Sequence, residues 1–139
     1  MLGEHLVKSW SVTQGVIALS SGEAEYYGIV KGSSVGMGVQ SVLGDLNIKY
    51  KLQVLTDSSA AKGIASRKGL GKVRHIEVNQ LWVQEKVADG AIELHKTPGD
   101  KNLADSLTKH VGREIIDRHL VGTNQHLSSG RHVLMPKID

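Results

Sequence analysis

The chain has 139 residues, 40% of them hydrophobic and 22% charged, the composition of one globular domain with a core of its own. It has no cysteine, which excludes disulfides and thiolate metal sites, and no apolar run approaches the roughly 20 residues that span a bilayer. The formal charge is +3, and its distribution says more than its size: Lys62, Arg67, Lys68, Lys72 and Arg74 fall between Ser58 and Ile76 with no acid among them.

Sixteen glycines and no phenylalanine leave Val, Leu, Ile and Ala to build the core, with two tryptophans and three tyrosines as the only bulk. The start of the chain lacks a basic segment followed by an apolar one, so no signal peptide is expected. The expected setting is intracellular, in the cytoplasm or the nucleus, with no membrane partner.

Residues 5–13 alternate in their later half and predict a strand with Val7, Trp10 and Val12 as core candidates. A helix follows from Ser20 to about Leu43, because Ser20 and Glu23 have the Ser-x-x-Glu spacing of a capping box. Glycines at 28, 32, 36 and 38 weaken that helix by roughly 1 kcal/mol each relative to alanine, so packing must hold it. Its expected inner stripe is Ala24, Gly28, Val35, Val39 and Val42.

Leu52, Val54 and Leu55 read as a short buried strand, and Ser58 and Ser59 can cap the helix that follows as far as Ala65. Residues 66–72, with two glycines and three bases, predict a mobile loop. A further helix is expected over 73–88, on Ile76, Gln80, Val83 and Val87, with Gly90 placed to end it. Residues 91–96 alternate as a strand, with Ile92 and Leu94 on one face. After the turn at 97–99, Asp100 or Asn102 is expected to start a helix carrying Leu103 and Leu107. Residues 113–120 predict another helix, and 127–139 a tail. The order of elements is that of an α/β fold with a partly parallel sheet.

Asp57 stands where a strand ends and a helix begins, the rim of an α/β sheet where ligand groups are usually carried. A plain alternative is that it caps the helix. Two other stretches weigh against that alternative: Ala-Leu-Ser-Ser-Gly-Glu-Ala-Glu-Tyr-Tyr at 18–27, and Pro-Gly-Asp-Lys-Asn-Leu-Ala-Asp-Ser-Leu-Thr-Lys at 98–109. Together with Leu-Thr-Asp-Ser they resemble the ribonuclease H domain that ends the polyprotein of copia-type retrotransposons, from about Lys8 to Lys109.

The resemblance implies a ribonuclease H-like mixed sheet with flanking helices over 1–110, incomplete at its N-terminus, and a short helix with a poorly ordered tail over 111–139. It makes residues 6–12 the third strand of the full fold. The first two strands, one of them bearing a metal aspartate, are therefore expected to be missing. It also implies metal-dependent hydrolysis of the RNA strand of an RNA–DNA hybrid, alongside reverse transcriptase in the remainder of a polyprotein. The alternative is a truncated or degenerate copy that binds nucleic acid without cleaving it.

Such chemistry needs hard oxygen ligands for Mg²⁺ or Mn²⁺, two ions roughly 3.5–4 Å apart in the complete domain. The candidate metal and catalytic residues are Glu25, Asp57 and Asp105. Glu23 is assigned to the cap of Ser20, and the family's catalytic glutamate in Ala-Glu-Tyr matches Glu25. For Asp105 the plain alternative is a first-turn acid favoured by the helix dipole. Lys62, Arg67, Lys68, Lys72, Arg74 and His75 are the candidate nucleic-acid contacts, since a basic run beside carboxylates can grip a phosphate backbone. His75, in a basic-His-Ile stretch typical of the family, reads equally well as a partly buried structural histidine.

Overall fold

A computed structural model describes residues 1–72, 75–127 and Gly130. The chain divides into two compact units, Thr13–Asn102 in one and Met1–Val12 with the residues from Leu103 onward in the other. The first holds a two-stranded sheet and its covering helices.

That larger unit begins with helix α1, Ser21–Asp45, followed by strand β1, Leu52–Thr56, and helix α2, Ser59–Ala65. A single 3₁₀ turn at Val78–Gln80 leads into helix α3, Trp82–Ala88, then strand β2, Ile92–Lys96, and a second 3₁₀ turn at Gly99–Lys101. β1 and β2 pair in parallel, Leu52 opposite Ile92 and Thr56 opposite Lys96. The α/β class and the parallel pairing agree with the sequence. Parallel neighbours need a long crossover, and α2 and α3 supply it.

Inside the unit, Tyr26, Tyr27, Ile29 and Val30 of α1 meet Ala61, Ile64 and Ala65 of α2, with Ile76, Val83 and Leu94 completing the cluster. The stripe expected on α1 is the wrong one. Gly22, Tyr26, Ile29 and Ser33 are buried, whereas of the expected stripe Ala24, Val35 and Val39 are half-buried and Gly28 and Val42 exposed. At 3.6 residues per turn the two stripes lie roughly half a turn apart. Two tyrosines carry far more buriable area than a row of valines and glycines, so they decide which face turns inward.

Small residues on that face allow close approach. A Cβ at Gly22 would come within 2.7 Å of Ala60 Cβ, and one at Gly36 within 2.5 Å of Leu52 Cδ1.

The end of α1 is fixed by a buried carboxylate. Ser20 caps the helix, its Oγ accepting from Glu23 N–H at 3.2 Å. The return half of the capping box falls one residue early, because Glu23 Oε2 accepts from Leu19 N–H at 2.8 Å. Glu23 is 0% exposed and is met by two more donors. Tyr27 Oη donates to Oε1 at 3.1 Å, and His75 Nε2 stands 2.6 Å from Oε2. Burial pushes the Glu23 carboxyl upward, but the bonds from His75, Leu19 and Tyr27 outweigh it and hold the group below its ordinary 4.5. Burial beside Glu23 pushes the Tyr27 hydroxyl up in turn.

Three further expectations are corrected. Residues 5–13 form no strand: Val7 and Val12 are exposed, and Trp10 is 37% exposed with Lys8 Nζ over its ring. Among the described residues the pairing there is an isolated bridge, Leu2 with His5, and an extended segment without a partner ladder is not stable as a strand. The helix expected over 73–88 starts only at Trp82, since Glu77 has extended backbone, φ −59° and ψ 134°; Val73 and Arg74 lie outside the described residues. The helix expected from 100 or 102 breaks in two, because Asn102 is also extended.

In the smaller unit, helix α4 spans Asp105–Thr108 and helix α5 spans Arg113–Gly122, the latter close to its expected place. Leu103 packs so near Gly122 that a Cβ there would come within 2.7 Å of Leu103 Cδ2. The tail expected over 127–139 falls almost wholly outside the described residues. No helix among them is long and apolar enough to cross a membrane.

Two outcomes follow from this packing. Gly28→Ala, where a Cβ meets nothing within 4 Å, should raise stability by about 0.5–1 kcal/mol through helix propensity. Gly22→Ala should lower it despite the same propensity gain, because Ala60 has no flexible end to move aside. Thermal melts of the two variants check this, and a gain in both would refute the close contact of α1 and α2.

The depressed Glu23 carboxyl stabilises the fold above its ordinary 4.5 and loses that contribution as pH falls below it. Glu23→Gln should therefore cost about 1–3 kcal/mol near neutrality by unbalancing buried partners. It should also flatten the fall in stability below pH ~4.5. Urea titrations between pH 3 and 7 read both effects.

Candidate functional site

Asp57 is the residue that follows β1, at the carboxyl end of a strand in a parallel pair. Ligands in open α/β sheets sit at that end. It does not cap α2; Ser58 does, its Oγ accepting from Ala61 N–H at 3.1 Å. The plain alternative for Asp57 therefore falls away. Its carboxylate is half-buried, and Asn102 Nδ2 donates to Oδ2 at 3.2 Å. Gly99 lies alongside, where an added Cβ would stand 3.8 Å from Oδ2. The turn after β2 thus closes over the acid that ends β1.

Glu25 is exposed on α1, two residues beyond the buried Glu23. The assignment of Glu23 to an internal role agrees with its burial, although that role is larger than a cap. Glu25 and Asp57 belong to the Thr13–Asn102 unit and Asp105 to the other. Asp105 is half-buried at the first position of α4, with Lys109 Nζ 2.9 Å from Oδ1. In neither unit do three or more His, Asp or Glu side chains among the described residues group closely enough to hold a metal ion.

The basic run sorts into two kinds of residue. Lys68 and Lys72 are exposed, and Lys62 is half-buried on α2. Arg67 turns back into its own loop, where Nη2 donates to the Leu70 carbonyl. Arg74 lies outside the described residues. His75 Nε2 contacts Glu23, as the structural alternative has it, but the side chain is 42% exposed rather than partly buried.

Three features here were not read from the sequence. Gln84 of α3 is buried and tied to the loop before it through Gly69. Tyr26 Oη donates to the Gln80 carbonyl at 2.7 Å, and burial pushes its hydroxyl up to about 12. On the outer face of the sheet, Lys51, Gln53 and His95 surround Glu93 and hold its carboxyl at about 2. A buried glutamine or glutamate carries no sequence signal that separates it from an exposed one. The Glu93 cluster becomes visible only once the register Gln53 opposite Glu93 is known.

No family model and no solved structure matches the chain. Curated proteins do. One is the retrovirus-related Pol polyprotein from transposon TNT 1-94 of Nicotiana tabacum, 30% identical over 123 residues, which is 85% of this chain and 9% of that protein. Another is the retrovirus-related Pol polyprotein from transposon RE1 of Arabidopsis thaliana, 27% identical over 115 residues, or 81% of this chain and 8% of that protein. The chain spans less than a tenth of the length of these relatives. Along most of its length, it is homologous to a segment of the retrovirus-related Pol polyproteins of plant transposons.

Proposed function

We propose that this chain is the ribonuclease H-like region of a copia-type retrotransposon polyprotein, acting on RNA–DNA hybrids inside the cell, in the cytoplasm or the nucleus. The observation that carries the reading is the homology with Pol polyproteins, joined to an acid at the carboxyl end of a parallel strand. Its partners are the hybrid and the remainder of the polyprotein, reverse transcriptase included. Glu25, Asp57 and Asp105 are the proposed metal ligands, and Mg²⁺ or Mn²⁺ the proposed cofactor. A hybrid is recognised by its backbone geometry and its 2′-hydroxyls rather than by base sequence. Exposed lysines on a short loop suit that kind of contact.

A second reading, nucleic-acid binding without cleavage, is favoured by one observation. The described residues of neither unit gather three ligands, and a hard divalent ion needs several oxygens.

One experiment separates the two. An end-labelled RNA–DNA hybrid is incubated with the whole chain in Mg²⁺ and in Mn²⁺, and both binding and RNA-strand cleavage are followed. The nuclease reading expects cleavage, and Asp57→Asn should reduce it by more than the roughly 10- to 100-fold typical of groups one step removed from a metal. The melting temperature should not move. Hybrid bound but uncut in either ion would establish the binding reading instead, and neither binding nor cleavage would overturn both. In the same assay, joint replacement of Lys68 and Lys72 by alanine should weaken binding uniformly. The salt dependence should lose about two phosphate contacts.

A further inference from the structure

Residues 67–71, which follow α2, are held by more than their own backbone. One buried side chain, Gln84, 7% exposed on α3, does most of the holding. Its Oε1 accepts from Gly69 N–H at 2.8 Å, and its Nε2 donates to the Ile64 carbonyl at 2.8 Å and the Gly69 carbonyl at 3.1 Å. Both backbone groups of Gly69 are thus paired by a single amide, as an adjacent strand would pair them. Gly69 has φ +75°, the left-handed region where a residue with a Cβ is strained.

Around that anchor the neighbours are fixed too. Leu70 packs on the core, and Arg67 donates to the Leu70 carbonyl. Gly71 leaves room for that guanidinium, since a Cβ there would come within 2.7 Å of Arg67 Cζ. Arg67, Gly69 and Leu70 are tied inward, while Lys68 and Lys72 remain exposed.

We propose that Gln84 is a positioning residue for nucleic-acid binding. By fixing Gly69 from beneath, it presents Lys68 and Lys72 to a phosphate backbone as a pre-formed pair. Ordering such a loop at the moment of binding would otherwise subtract from affinity. The inference rests on the nucleic-acid reading proposed above and adds to it a residue that touches no substrate.

The test titrates a fluorescent RNA–DNA hybrid with the whole chain at several salt concentrations, for the wild type, Gln84→Met and Gly69→Ala. Gln84→Met removes all three hydrogen bonds at similar volume. Gly69→Ala disturbs the same backbone from the solvent side, where a Cβ meets nothing within 4 Å, and keeps the test valid if the buried variant fails to fold. Affinity should fall about tenfold in each folded variant, with a shallower salt dependence, because lysines are being released from phosphates. Trypsin should also cut faster after Lys68, while the circular dichroism spectrum stays the same. Wild-type affinity and salt slope in the folded variants would overturn this inference and leave the nucleic-acid reading standing. Failure of the wild type to bind the hybrid would overturn that reading, and this one with it.

Discussion

A carboxylate with no exposed surface governs the larger unit. Removing Glu23 from water costs several kcal/mol unless donors replace the solvent. Three do: the Leu19 amide, the Tyr27 hydroxyl and His75 Nε2. They come from just before α1, from the next turn of α1, and from the segment leading into α3. Satisfying one side chain therefore fixes where α1 begins and brings residue 75 back to it. An ionised carboxylate only accepts, so the proton of this contact sits on His75 Nε2.

One candidate residue depends on that anchorage directly. Glu25 is two residues further along the same helix, and its exposure follows from the burial of Glu23, Tyr26 and Tyr27. Asp57 is set by a different means: the parallel register ends β1 at Thr56, Ser58 takes over the cap of α2, and the acid between them is left to face Asn102. Buried polar side chains recur as the organising device. Gln84 gives the basic loop its shape much as Glu23 gives α1 its start. Such groups are costly when half-satisfied and confer a single arrangement when fully paired.

Much of this was legible in the residues. Both strands of the sheet, the caps at Ser20 and Ser58, helix α2 and helix α5 follow from short-range patterns that need no tertiary knowledge. Features set by long-range partners were not. The inner face of α1 departs from its pattern because valines and glycines at regular spacing look like a core stripe, while tyrosines can face either way. Residues 5–13 alternate like a strand, but alternation describes a surface and supplies no neighbour to pair with. Glu23 looked like a cap partner and Gln84 like a polar position on a helix, since periodicity does not price a buried hydrogen bond. The residues around His75 suit a substrate contact and a structural role equally, and its distance to Glu23 supports the second. Where Asp57 lies was readable from a strand-to-helix boundary, and what holds it, Asn102, was not.

Nitrogen-15 NMR of the His75 ring probes the central contact directly. The geometry predicts that Nε2 carries a hydrogen that exchanges slowly with water and whose signal disappears in Glu23→Gln. A freely exchanging ring with the proton on Nδ1, unchanged by that substitution, would contradict the buried carboxylate as the point on which the larger unit is built.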